Sequence, residues 1–251
     1  MQTTELPLMG NIHSIETMGA VDGPGLRFVA FMQGCPLRCE FCHNPDTWDA
    51  QAVPQFQWTP EELMNEVLRY RSFIKKGGVT LSGGEPLLQA RFAKAFFDLC
   101  RQHGIHTAID TSGAIFNDDA QAAVDAADLI LLDIKTADDS LHRSYIGADR
   151  TNNKRWFDHL LERNKPIWVR HVVVPERTAD ERHLREVADF LQPYLPIIER
   201  IELLPYHSLG KFKYEKLGIP YPLADIEDLK AEDISRARDL FRKLMPDMTV
   251  R

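Results

Sequence analysis

The sequence predicts an α/β fold, a parallel sheet covered by helices. Three observations predict it. Apolar or alternating runs of strand length recur between amphipathic stretches, and this strand–helix unit is met six times. No internal repeat, low-complexity tract or linker interrupts the series. With 251 residues, 44% hydrophobic and 27% charged, the chain can bury a full core. One domain spanning 1–251 is the economical reading, with a core at about 10–210 and a closing helix at about 231–245.

The elements follow in order. "NIHSIETMGAVDGPG" reads as an added N-terminal strand ending in a tight turn at Asp22-Gly23-Pro24-Gly25. "LRFVAFMQG" (26–34) alternates and is rich in β-formers, a strand leading straight into a loop of cysteines. In "TPEELMNEVLRYRSFIKK", Thr59 is the N-cap, Pro60 takes the first helical position and Glu62 completes a capping box. Leu63, Val67 and Tyr70 then fall at helical spacing. "GVTLSGGEP" is a short strand closing in a glycine turn, and 86–103 is the next helix. "HTAIDTSG" precedes helix "DDAQAAVDAA", and "LILLDIK" precedes a helical stretch from Asp138 to Asn164. "IWVRHVVVP" precedes a helix from about Ala179 to Leu191. "RIELLPYH" is the sixth strand, followed by a Gly/Pro/Tyr-rich loop and the closing helix "AEDISRARDLFRKLM".

Six such units fit an open doubly wound sheet or a barrel of fewer than eight strands, and both bind ligands at the carboxyl ends of the strands. The unusual polar residues stand there: Cys35, Ser82 to Glu85, Asp110 with Thr111, Asp133 with Lys135, and His207.

Bulk charge narrows the function. The net charge of −7 argues against nucleic acid as a partner, since broad phosphate binding needs a basic face. "MQTTELPLMG" has no basic n-region or long apolar h-region, and no apolar run approaches the about 18 residues of a membrane span. A cytoplasmic chain is expected. There, clustered cysteines read as metal-binding or catalytic rather than as disulfides. Cys100, within the apolar helical pattern "AKAFFDLC", reads as a buried, inert thiol.

Three of the four cysteines, Cys35, Cys39 and Cys42, lie in "QGCPLRCEFCHNPDTW" at a C-x3-C-x2-C spacing. Zinc would want a fourth ligand, and His43, adjacent to Cys42, is awkwardly placed to complete a tetrahedron. An ordinary four-iron cluster wants four cysteines. The remaining reading is a [4Fe–4S] cluster with one iron open to a ligand. The competing class is a zinc-stabilised, non-catalytic binding protein, colourless and stable in air.

This spacing, with Phe41 before the third cysteine and "SGGEP" ending the next strand, resembles the radical S-adenosylmethionine (SAM) superfamily. The resemblance implies that SAM chelates the open iron and is cleaved reductively to methionine and a 5′-deoxyadenosyl radical, the protein supplying ligation, orientation and exclusion of water. It assigns SAM contacts to Phe41, Cys42, His43, Gly83, Gly84, Glu85, Asp133, Ile134, Lys135 and His207. Gly83-Gly84-Glu85 would hold the SAM amino group through the backbone. Asp110 and Thr111 are expected to hold a monovalent cation. For Asp133 and Lys135 a mutual ion pair is the plain alternative, and for Gly83-Gly84 a simple strand-to-helix turn. Arg170 is read either as a substrate contact or as a paired strand charge.

"IHSIETMGAVDGPGLRFVAFMQGCPLRCEFCHNPDTW", "VTLSGGEPLLQ", "IDTSG", "LLDIK", "VRHVVVP" and "ELLPYHSLGKFKYEKLG" together resemble the pyruvate formate-lyase activating enzymes, from about Gly10 to the closing helix. That implies a partial (β/α)6 barrel with an N-terminal strand extension. It also implies hydrogen abstraction from a glycine Cα of a partner, pyruvate formate-lyase or another glycyl-radical enzyme. Many related activases carry a ferredoxin-like insert with eight further cysteines. This chain has one spare cysteine, so it resembles the short type, and the electron is expected from reduced flavodoxin or ferredoxin. A monomer is expected. Phe41 departs from the tyrosine frequent there, losing only a hydroxyl.

Overall fold

The computed structural model describes residues 7–251; the opening MQTTEL, part of the segment read as carrying no export signal, lies outside them. The described residues fall into two units. The first comprises the chain up to Cys35, Asp49–Thr111 and Asn117–Leu129; the second comprises Pro36–Trp48, Ser112–Phe116 and Ile130–Arg251.

In the first unit, alternation becomes a five-stranded arrangement: β1 (Gly10–Gly19), β2 (Arg27–Met32), β3 (Phe56–Trp58), β4 (Gly78–Gly83) and β5 (Thr107–Thr111), in the spatial order β3-β1-β2-β4-β5. β1 runs antiparallel to β2 and β3, while β2, β4 and β5 are parallel. Its helices are α1 (Pro60–Arg69), α2 (Ala90–Gln102) and α3 (Asp118–Ala126). The capping box of α1 is present in full: Glu62 N donates to Thr59 Oγ1, and Thr59 N to the Glu62 carboxylate. The apolar stripe of α2 buries Phe92, Phe96 and Phe97 completely, each contributing about 1.5–3 kcal/mol. The turn before β2 is anchored by an arginine to which the sequence reading gave no role. Arg27 is fully buried, donating from Nε to Thr80 Oγ1 at 2.6 Å and from its terminal nitrogens to the Pro24 and Val79 carbonyls.

The second unit holds β6 (Leu129–Asp133), α4 (Asp139–Ile146), α5 (Thr151–Glu162), β7 (Ile167–Val173), α6 (Glu181–Leu191), β8 (Ile198–Pro205), α7 (Lys211–Leu217) and α8 (Ala231–Leu244). β6, β7 and β8 are parallel neighbours in that order. Its core is built on Trp156, Phe157, Leu160, Val169, Ile201 and Phe241. The parallel strands of the two units number six, as expected.

Four details differ from the expectation. The 86–103 helix begins with a 3-10 turn, Pro86–Gln89, before α2. The stretch 138–164 is two helices, broken where Gly147 adopts a left-handed conformation at φ +80°. The loop after β8 contains α7, ended by left-handed Gly218. β3, only three residues long, was not foreseen.

Candidate functional site

In the first unit, β4 ends in register with β2, Gly83 standing opposite Met32. The chain then turns along the end of β2: Gly84 N donates to Met32 O at 3.0 Å and Glu85 N to Gly34 O at 2.8 Å. Gly83 has φ +104°, and a Cβ on Gly84 would lie 2.2 Å from Gly34 O. Both glycines are therefore required by backbone approach from the strand leading to Cys35. The Glu85 side chain is wholly buried and structurally engaged. It accepts from Leu87 N at 3.0 Å, capping the 3-10 turn, and from Thr111 Oγ1 at 2.7 Å. Asp110 accepts from Ser82 Oγ at 2.8 Å. The two residues expected to hold a cation thus each have a protein partner.

In the second unit, the loop 36–48 is fastened on both sides of Cys39. Arg38 N donates to Ile146 O at 3.0 Å and Glu40 N to Tyr145 O at 3.1 Å, so the loop caps the last carbonyls of α4. Cys42 N turns back to Cys39 O at 3.1 Å. Asn44 N donates to Cys42 Sγ at 3.3 Å, and burial pushes the Cys42 thiol up, a cost that a bound metal would reverse. α7 clamps the same loop: Tyr214 Oη donates to Cys42 O at 3.0 Å, and Lys213 Nζ donates to Asn44 Oδ1 at 2.8 Å and Asp46 Oδ1 at 3.0 Å.

His43 Nε2 donates to His207 O at 2.9 Å, with the two rings 4.2 Å apart. Burial, then the neighbouring His207, lowers the His43 pKa. The bond leaves Nδ1 as the one ring nitrogen of His43 open to a ligand. Asp133 and Lys135 form the mutual ion pair at 2.5 Å, and Lys135 Nζ lies 5.5 Å from the centre of the Phe41 ring. Phe41 is buried against Tyr145, ring centres 5.5 Å apart. Ile134 has both main-chain groups bonded to β7: its N to Arg170 O, its O to His171 Nδ1. Arg170 pairs with Glu202 at 3.3 Å, and Asp133, Arg170 and Glu202 face one another across three strands. Arg170 is thus paired on the strand. Cys100 is buried in α2 and its thiol is pushed far up by burial, as an inert thiol should be.

Among the described residues, no three Cys, His, Asp or Glu side chains are gathered as a ready ligand set. The fit to a cluster and SAM therefore rests on other observations. Three thiols follow one another along one loop, and no disulfide joins them. Two buried polar atoms of the second unit, His207 Nδ1 and Tyr145 Oη, have no partner in the protein. These residues fit the group. Sequence reasoning gave no role to Tyr145, nor to Lys213 and Tyr214, although the last two lie within "ELLPYHSLGKFKYEKLG".

Residues 29–191 match the model of the radical SAM superfamily, and the chain belongs to it. Over 244 residues, 95% of this chain and 99% of the other, it is 43% identical to the pyruvate formate-lyase-activating enzyme of Clostridium pasteurianum. Over 241 residues, 93% of this chain and 96% of the other, it is 40% identical to the enzyme of the same description from Listeria monocytogenes. Within the superfamily, the chain belongs to the pyruvate formate-lyase-activating enzymes. The structure of Streptococcus suis SuiB bound to S-adenosylmethionine matches with a TM-score of 0.65 at 15% identity, over 87% of this chain and 48% of that one. This shows the fold, a partial (β/α)6 barrel of the radical SAM type.

Proposed function

We propose that this chain installs a glycyl radical on pyruvate formate-lyase, using a [4Fe–4S] cluster and SAM. The observation that carries this is 43% identity to an activating enzyme over 95% of the chain, with C-x3-C-x2-C present at Cys35, Cys39 and Cys42. When bound, cluster and SAM supply the reductive cleavage that provides a radical able to take a glycine Cα hydrogen. The chain's residues do the rest. Cys35, Cys39 and Cys42 would hold the cluster, with SAM taking the position their three thiolates do not fill. The turn Gly83-Gly84-Glu85, its Glu85 side chain already engaged, offers backbone to the SAM amino group. Asp133, Lys135, Phe41, His43 and His207 orient the rest of the cofactor, with Asp133 and Lys135 exchanging their mutual pair for ligand contacts. Asp110 and Thr111 are the cation candidates.

Cys100 is buried in α2, so the chain has no ligands for a second cluster and the electron comes from another protein, reduced flavodoxin or ferredoxin. Among the described residues no helix is long and apolar enough to cross a membrane. We take the chain to work as a cytoplasmic monomer and a single radical SAM domain. The test is electron paramagnetic resonance on an anaerobic mixture of reduced, reconstituted protein, SAM and pyruvate formate-lyase from the same organism. A glycyl radical that needs both SAM and this chain is expected. If 5′-deoxyadenosine forms without it, the partner is another glycyl-radical enzyme. If neither forms despite full iron and sulfide, the reading fails.

A further inference from the structure

We infer that the Tyr145 hydroxyl is a hydrogen-bond donor reserved for the sulfur of the bound cluster at Cys39, and that it eases reduction of that cluster; the inference rests on the cluster reading above. Tyr145 is 2% exposed, and its Oη is buried with no partner in the protein. Leaving a hydroxyl in that state is costly, and phenylalanine would fill the same space without the cost. Such an atom calls for an acceptor that the polypeptide does not supply.

The surroundings say which acceptor. Tyr145 lies in the last turn of α4, where its carbonyl and that of Ile146 receive the amides of Glu40 and Arg38. Those two amides flank Cys39, so the main chains of Cys39 and Tyr145 are fastened side by side. The ring packs against Phe41, next but one to Cys39. Of its other neighbours, Arg177 is a donor only, 5.8 Å from the ring centre, and the Glu40 carboxylate lies 3.8 Å from Arg177 and takes no hydrogen bond from the Tyr145 hydroxyl. Cysteine sulfur, buried and carrying negative charge when it ligates iron, is the acceptor of matching chemistry. Hydrogen bonds to cluster sulfurs are among the factors that set its potential. They stabilise the more negative, reduced state.

The experiment compares wild type, Tyr145→Phe and Tyr194→Phe, each reconstituted anaerobically with iron and sulfide. Tyr194 is the control, since its hydroxyl already donates to Asp158 at 2.7 Å. Redox titration without SAM, followed by electron paramagnetic resonance, reads the potential; urea unfolding of the cluster-free proteins reads stability. Tyr145→Phe is expected to weaken reduction about tenfold, which is 59 mV for one electron. Tyr194→Phe should leave the potential unchanged, and cluster-free Tyr145→Phe should be no less stable than wild type. A potential equal to wild type overturns the inference. So does a loss of cluster-free stability, which would mean that the hydroxyl already has a partner such as a buried water. Wild-type protein that takes up no iron and sulfide would overturn the cluster reading itself, a separate result.

Discussion

The two units treat their buried polar groups differently. In the first, Glu85 accepts from Thr111 and Leu87, Asp110 accepts from Ser82, and the buried Arg27 spends its donors on Thr80 and two carbonyls. In the second, Tyr145 Oη, His171 Nε2, His183 Nε2 and His207 Nδ1 are buried without partners. A fold can leave a few such atoms at a cost when a ligand completes them. The buried groups named in the first unit thus satisfy one another, whereas those of the second are left for a ligand or a buried water to complete.

Substitutions can break this contrast. The largest effect expected is functional: Cys39→Ala should abolish SAM cleavage, read as 5′-deoxyadenosine, while the unfolding midpoint stays near wild type. Retained cleavage would remove Cys39 from the ligand set. Gly84→Ala should act in the opposite way, through stability. Its Cβ would meet Gly34 backbone at 2.2 Å, so urea unfolding should show a loss of about 1–3 kcal/mol or more. Weaker SAM binding with full stability would instead mean that the glycine serves ligand approach alone.

Acid should expose the second unit's buried histidines. Burial lowers the His171 pKa to about 3, against the opposing hydrogen bond to the Ile134 carbonyl and with help from His183 and Lys135. The folded state keeps this imidazole neutral, whereas the unfolded chain takes up a proton below about pH 6.5. Its contribution is therefore constant above that pH and is lost as pH falls towards 3, at up to about 1.4 kcal/mol per unit. Urea unfolding of the cluster-free protein at pH 7.5 and 5.5 should show this loss, and His171→Gln should shrink it. An equal acid loss in the variant would place the titration elsewhere.

These contrasts mark what could be read from sequence. The first unit is written in local signals: Thr59 and Glu62 three residues apart specify the capping box, and Asp22-Gly23-Pro24-Gly25 specifies the turn. Short elements carried too little pattern, so β3 and α7 were missed, although Gly210 and Gly218 bracket α7. Gly147 likewise carried the break between α4 and α5. The cysteine loop was legible because its three cysteines are neighbours in sequence. What holds the loop was not: Tyr214 reaches Cys42 across 172 residues and His43 reaches His207 across 164, with no periodicity linking them.

The smallest expected effect probes one of those distant contacts. Lys213 and Asp46 are about four-fifths and three-quarters buried, and Lys213 also donates to Asn44, whose backbone amide serves Cys42 Sγ. Lys213→Met should cost only about 0.5–1 kcal/mol in the cluster-free protein, since a partly exposed pair gains little over water. A double-mutant cycle with Asp46→Asn should return a coupling of that size. The consequence for the loop is more specific than the energy. With Asn44 untethered, its amide no longer holds the Cys42 sulfur in one orientation, so iron and sulfide should be retained less well at unchanged fold. If Lys213→Met retains the cluster as wild type does, the Cys39 attachment to α4 holds the loop alone, and the clamp by α7 is packing only.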